Sequence, residues 1–144
     1  MLYIGSDHGG FSLKEYLKSY FEKNNIVFED LGVYTQESFD YPIIAEKLCC
    51  EVIKDQNNKG ILICGTGIGV CIAANKVKGI RAALCSDTYT SEMSRKHNNA
   101  NVLCMGGRVL GNDKGVDIVK SFLSTDFEGG RHLRRVDQII KIER

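Results

Sequence analysis

The run Gly60-Ile61-Leu62-Ile63-Cys64-Gly65-Thr66-Gly67-Ile68-Gly69 constrains this chain more than any other, because an apolar stretch ends at a thiol and passes directly into regularly spaced glycines. Ile61, Leu62 and Ile63 show no alternation with polar residues, the pattern of a strand covered on both faces in a parallel sheet. Cys64 then falls at the carboxyl end of that strand. Gly65, Gly67 and Gly69 permit a tight turn that aims backbone N–H groups outward, and Val70 to Val77 reads as a helix. A strand, a glycine loop and a helix start together form an anion site, although glycines also suit a strand-to-helix turn with no ligand. No Lys-Ser or Lys-Thr follows at P-loop spacing, and the glycine register is not that of a dinucleotide fingerprint. A thiol at a helix amino terminus is biased toward thiolate, so Cys64 is a candidate nucleophile or general base.

The rest of the chain repeats the strand-then-helix pattern. Leu2 to Ser6 predicts a first strand, followed by Asp7-His8-Gly9-Gly10 and a helix from Ser12 to Lys23 whose Leu13, Tyr16, Leu17, Tyr20 and Phe21 share one face. Ile26 to Leu31 predicts a second strand, and Asp40 a cap for a helix with Pro42 in its first turn. Beyond the glycine loop come a strand over Ile80 to Cys85, a helix from Asp87 to Lys96, and the segment His97-Asn98-Asn99-Ala100-Asn101. A fifth strand over Val102 to Met105, a helix over Asp113 to Leu123 and a last helix over Arg131 to Ile142 follow. This alternation predicts one domain over 1–144, an α/β three-layer αβα sandwich with a doubly wound, Rossmann-like, five-stranded parallel sheet. Ligands of such sheets bind beyond the carboxyl ends of the strands. If the first and third strands are neighbours, Asp7, His8 and Cys64 share one crevice.

Composition removes several function classes. The 144 residues are 43% hydrophobic, enough for one packed core. A formal charge of +1 with mixed signs implies neither nucleic acid nor an anionic membrane as partner. No apolar run has the length of a membrane span, and no signal-like segment follows Met1, which points to the cytoplasm. Six cysteines without a secretion signal read as reduced thiols, with Cys71, Cys85 and Cys104 expected to be small buried hydrophobes. Cys49 and Cys50 are adjacent and the others scattered, with only His8, His97 and His132 to help, so no metal site is expected from spacing. No cofactor is implied.

Five segments together, Ile4-Gly-Ser-Asp-His-Gly-Gly10, Cys64-Gly-Thr-Gly-Ile-Gly69, Arg95-Lys-His-Asn-Asn-Ala-Asn101, Gly106-Gly-Arg108 and Arg131 to Arg135, resemble the type B ribose-5-phosphate isomerases, a family shared with the galactose-6-phosphate isomerase subunits. The resemblance covers nearly the whole length. It implies an aldose–ketose isomerase of the pentose phosphate pathway that interconverts ribose 5-phosphate and ribulose 5-phosphate through an enediolate. In that reading Cys64 is the base that moves the proton between carbons 1 and 2. The amides of Gly65, Thr66, Gly67, Ile68 and Gly69 hold the enediolate oxygens, and Thr66 bonds a substrate hydroxyl. His97 is the acid that opens the sugar ring. Asn98 and Asp7 contact the open chain, and His8, Arg108, Arg131 and Arg135 surround the phosphate or orient the substrate. One branch of the family lacks the thiol and carries a glutamate later in the loop. Ile68 stands there in this chain, which leaves Cys64 as the base. The cysteine and the Gly-Gly-Arg argue against a galactose-6-phosphate isomerase subunit.

The partners implied are a sugar phosphate and a second copy of the chain, as a homodimer or a dimer of dimers. Two alternatives stay open, a six-carbon sugar phosphate such as an allose or galactose phosphate as substrate, and a noncatalytic sugar-phosphate binder. Thiol redox chemistry is disfavoured, because no second cysteine lies at Cys-x-x-Cys distance from Cys64. Topology adds a further expectation. His97 should follow the helix that returns from the fourth strand and so lie at the opposite end of the strands from Cys64, near where the fifth strand begins.

Overall fold

A computed structural model describes residues 1–144. Its elements run β1 (Leu2–Ser6), α1 (Phe11–Lys23), β2 (Phe28–Asp30), α2 (Tyr41–Val52), β3 (Lys59–Cys64), α3 (Ile68–Ala74), β4 (Ala82–Leu84), α4 (Thr88–Asn98), β5 (Val102–Gly106), α5 (Asn112–Ser124) and α6 (Arg131–Ile142). The five strands form one sheet in the order β2-β1-β3-β5-β4, and every pairing is parallel. This is the α/β architecture that the alternation predicts. No helix is long and apolar enough to cross a membrane.

Successive strand residues point to opposite faces, so the central strands fill two cores at once. Leu2, Ile4, Ile61, Ile63, Leu103 and Met105 pack against Leu13, Leu17 and Phe21 of α1 and Ile118, Val119 and Phe122 of α5. Tyr3, Leu62, Cys64, Val102 and Cys104 face Ile44, Leu48 and Val52 of α2 and Val70 and Ala74 of α3. Deleting a fully buried ring such as Phe21 costs about 3–5 kcal/mol, transfer and cavity together.

The structure corrects several sequence boundaries, and the cause is where backbone donors go. β2 is shorter than Ile26 to Leu31, because the Ile26 N–H is spent on the Phe21 carbonyl at the end of α1. β4 is shorter than Ile80 to Cys85, because the Ile80 N–H bonds Val77 and the Arg81 N–H bonds Asn101 Oδ1. Its outer edge is partly closed by Asn75, whose amide accepts from the Ala82 N–H at 2.8 Å and donates to the Ala82 carbonyl at 3.0 Å. Asp40 occupies the position before α2 but its side chain makes no capping bond. Asp87 does cap, accepting from the Thr90 N–H at the start of α4. That helix runs two residues beyond Lys96, so His97 and Asn98 belong to its last turn, and Asn99 ends it in the left-handed region at φ 47°.

Candidate active site

β1 and β3 are direct neighbours, with Ser6 opposite Ile63, and β5 lies on the other side of β3 with Gly106 opposite Cys64. The three loops that leave the carboxyl ends of these strands therefore converge. The Gly107 N–H donates to the Cys64 carbonyl at 2.8 Å and the Arg108 N–H to the Gly65 carbonyl at 3.0 Å, which seals the β5 loop onto the glycine loop. Gly9 approaches so closely that a methyl group on it would meet the Gly65 nitrogen at 2.9 Å. One on Gly65 would meet the Arg108 guanidinium at 3.1 Å. Asp7, Gly65 and Arg108 thus converge on Cys64, with His8 in the same β1 loop.

Within this crevice, Cys64 is nearly buried and its Sγ accepts a hydrogen bond from the Gly67 N–H at 3.1 Å. A thiolate accepts such a bond more strongly than a thiol does. Gly67 can offer it because its φ of 81° lies in the left-handed region, where a side chain would also strike the Met105 carbonyl. Asp7 is buried, and its Oδ1 accepts from the N–H groups of Gly9 and Gly10 at 2.8 and 3.1 Å, holding the start of α1. His8 Nδ1 accepts from the Phe39 N–H at 3.1 Å, so the neutral ring carries its proton on Nε2. Thr66 is exposed, and its Oγ1 accepts from the Ile68 N–H at 3.2 Å, which leaves the hydroxyl hydrogen free to donate. Ile68 and Arg108 are exposed, while Gly65 and Gly69 are half-buried.

His97, Asn98, Arg131 and Arg135 are not in this crevice. The Arg81 guanidinium binds the carbonyls of Asn98 and Asn99 just before β4, and the Gly60 N–H binds the Asn101 carbonyl at the start of β3. The end of α4 is therefore at the amino edge of the strands. Cys64 lies four residues further along β3 than Gly60, roughly 13 Å at strand rise. There His97 stacks on His132 of α6, with ring centroids 4.2 Å apart and planes 12° from parallel, and its Nε2 lies 3.9 Å from Glu128 Oε1. Arg131 and Arg135 project from the same helix and are exposed. Burial, the adjoining His97 and Arg131 all push the His132 imidazole below its usual pKa.

Three features escape sequence reasoning. Tyr41 sits against the glycine loop, its ring 2.5 Å from where a Gly69 methyl would be, and nothing near Tyr41 in the chain signals this. Glu128 and His132 join His97 across more than thirty residues of sequence. Cys71 is half-exposed rather than a buried hydrophobe, and a hydrogen bond from the Cys104 thiol lowers its pKa to about 7 against the opposing effect of burial. Cys85 and Cys104 are buried as expected, and burial pushes Cys49 up to about 12.

Comparison with known proteins agrees with this geometry. The family model described as ribose/galactose isomerase matches residues 2–139. Ribose-5-phosphate isomerase B of Escherichia coli is 43% identical over 140 residues, covering 97% of this chain and 94% of the relative. The solved ribose-5-phosphate isomerase B of Clostridium thermocellum superposes with a TM-score of 0.95 at 47% identity, covering 98% of this chain and 95% of that one. The enzyme from Mycoplasma genitalium, solved with bound ribulose-5-phosphate, superposes with a TM-score of 0.94 at 43% identity over 98% of this chain and 94% of that one. With nearly its whole length matched at such identities, the chain belongs to the ribose/galactose isomerase family.

Proposed function

We propose that this chain is an aldose–ketose isomerase that interconverts ribose 5-phosphate and ribulose 5-phosphate, with Cys64 as the general base. The observation that carries the proposal is the Cys64 thiol held by the Gly67 N–H inside a crevice that also contains Asp7, His8 and Arg108. Proton abstraction beside a carbonyl needs a base, donors for the oxyanion that develops, and an anchor for the charged end of the substrate. Cys64 takes the proton from carbon 2 of the open aldose and returns it to carbon 1. The unoccupied N–H groups of the glycine loop receive the enediolate oxygens, and the Thr66 hydroxyl donates to a substrate hydroxyl. Asp7 keeps Oδ2 for the open chain, since Oδ1 is committed to the start of α1. His8 and Arg108 orient the substrate. Six free thiols suit a reducing compartment, and we place the enzyme in the cytoplasm.

We further propose that His97, Asn98, Arg131 and Arg135 act in the crevice of a second copy. Within one chain they lie at the opposite end of the strands from Cys64. A two-fold homodimer places this cluster of one copy over the glycine loop of the other and yields two equal sites. The surface beside the loop supports this. Ile68 and Ile72 on one face of α3 and Leu84 on the edge strand are 50%, 60% and 42% exposed, an apolar patch next to Gly67 of the kind that marks an interaction surface. His97 then opens the furanose ring, and the arginines hold the phosphate with forked donors.

The test is turnover of ribose 5-phosphate in heavy water. Ribulose 5-phosphate carrying solvent deuterium on carbon 1 is the expected product. Binding of ribose 5-phosphate without any turnover would leave a sugar-phosphate binder in its place.

A further inference from the structure

The stack of His97 and His132 beside Glu128 has a chemistry of its own. The ligand atoms of the three side chains all lie within 4.8 Å of one another. Two imidazoles and one carboxylate are the donor set that zinc and its neighbours in the first transition row accept, with a fourth position left open. The frame is set by backbone rather than by the side chains alone. The Glu128 N–H donates to the Lys96 carbonyl at 3.2 Å, tying the segment before α6 to the last turn of α4. The His132 N–H donates to the Gly129 carbonyl at 3.0 Å. Gly129 and Gly130, at φ 69° and 56°, allow the chain to double back so that Glu128 faces His132.

We infer that His97, Glu128 and His132 form a transition-metal site, and that a zinc-like ion bound there inhibits the enzyme by occupying the ring nitrogen of His97. The two ring planes lie within 12° of parallel, so their in-plane lone pairs cannot meet at one ion, and chelation requires a rotation about the terminal ring torsion of His132, a broad and soft coordinate. Arg131 and Arg135 on the same helix oppose hard cations held mainly by charge, such as Mg²⁺ and Ca²⁺. They disfavour a borderline ion less, since it bonds imidazole directly. The fourth position is open to water or to a phosphate oxygen of the substrate.

The inhibitory half of this inference rests on His97 being the ring-opening acid, whereas the binding half does not. The two are therefore measured separately. Zn²⁺ is titrated into the full chain against a chromogenic chelator, and isomerase rates are read with and without Zn²⁺, each variant against its own metal-free rate. Binding of one ion per chain is expected, weakened roughly tenfold or more by Glu128→Gln and by His132→Asn, with the inhibition shifted to higher Zn²⁺ in parallel. Co²⁺ in place of Zn²⁺ should give ligand-field bands without the charge-transfer absorption of a thiolate ligand. Binding unchanged in both variants, or a thiolate band, assigns the metal to the cysteines and overturns the site. Binding weakened by the variants with inhibition unmoved overturns the inhibitory role. A chain with no isomerase activity at all would sink the proposed function while the titration still decides the metal site.

Discussion

The crevice around Cys64 and the cluster around His97 use different parts of the polypeptide. The crevice is made mostly of backbone. Its thiol is nearly buried and held by an amide, and the β5 loop locks onto the glycine loop through main-chain bonds at 2.8 and 3.0 Å. The cluster is made of side chains on helix ends, several of them exposed, and its reactive ring is held by stacking rather than by hydrogen bonds. In the proposed reaction the crevice supplies the base and the oxyanion donors, while the cluster supplies the ring-opening acid and two arginines. The difference teaches that backbone at the carboxyl ends of the central strands fixes a group rigidly, whereas side chains on helix ends form a surface suited to meeting a partner.

The sharpest way to break this division is at the base. Cys64→Ala should fold like the wild type and lose roughly two to four orders of magnitude in kcat, the range for a positioned general base, with KM little changed. Stopped-flow or coupled assays of purified variants decide it. Near wild-type turnover would remove Cys64 from the chemistry.

The support of the crevice can be broken apart from its chemistry. Lys14 is fully buried on α1 and bonds Asp30 at 2.7 and 2.8 Å and the Val33 carbonyl, pinning the chain that leaves β2. Asp30→Asn leaves that ammonium buried without its anion and should cost about 3–5 kcal/mol in urea unfolding at neutral pH. Burial would raise the Asp30 carboxyl, but bonds from Lys14, Lys18 and the Gly32 N–H outweigh it and hold the group below its ordinary pKa of 3.8. A depressed folded pKa gives stability that is fully present above the unfolded value and lost as pH falls through the folded one. The gap between wild type and Asp30→Asn should therefore be constant near neutrality and narrow below about pH 4. A gap that does not change with pH would mean that the carboxylate's charge is not what stabilises the fold.

On the cluster side, Arg131→Ala and Arg135→Ala should act through affinity. A charge-assisted contact to phosphate is present in both ground and transition states, so KM should rise roughly tenfold to a hundredfold with kcat nearly kept. An unchanged KM in both variants would return these arginines to an ordinary solvated helix face.

Much of the fold is legible in sequence because buried parallel strands advertise themselves. Ile61 to Ile63 and Val102 to Met105 are unbroken apolar runs, and the glycines after Cys64 mark where the sheet ends. The sequence overextends the edge strand β4 at its start, where the Ile80 N–H is taken by the Val77 carbonyl and the Arg81 N–H by Asn101 Oδ1, which periodicity does not encode. The crevice was legible for the same reason as the core, since its residues directly follow strands. The partnership of His97 with Glu128 and His132 was not, because it depends on how α6 packs across α4, a long-range contact that no local pattern encodes. Tyr41 against Gly69 is likewise set by the packing of α2 on α3.

The smallest expected signal tests the division most directly. Cys64→Ala and His97→Ala are each expected to be inactive, and each damages a different region. In a homodimer with shared sites, every site takes its thiol from one copy and its imidazole from the other. When the two variants are mixed, unfolded and refolded together, random pairing makes about half of the dimers mixed. A mixed dimer has one site in which both damaged residues meet and one in which both intact residues meet. About a quarter of wild-type activity should therefore return, a level well above either parent and only fourfold below the unmutated enzyme. If each site were complete within its own chain, every site in the mixture would still carry one lesion and nothing would return. The readout needs one companion measurement, mass spectrometry of the refolded sample under native conditions, because the two variants differ enough in mass to show the mixed species. Mixed dimers present with activity at the parental level would place His97 outside the active site. The crevice would then need its acid from within its own walls, where His8 is the one imidazole available.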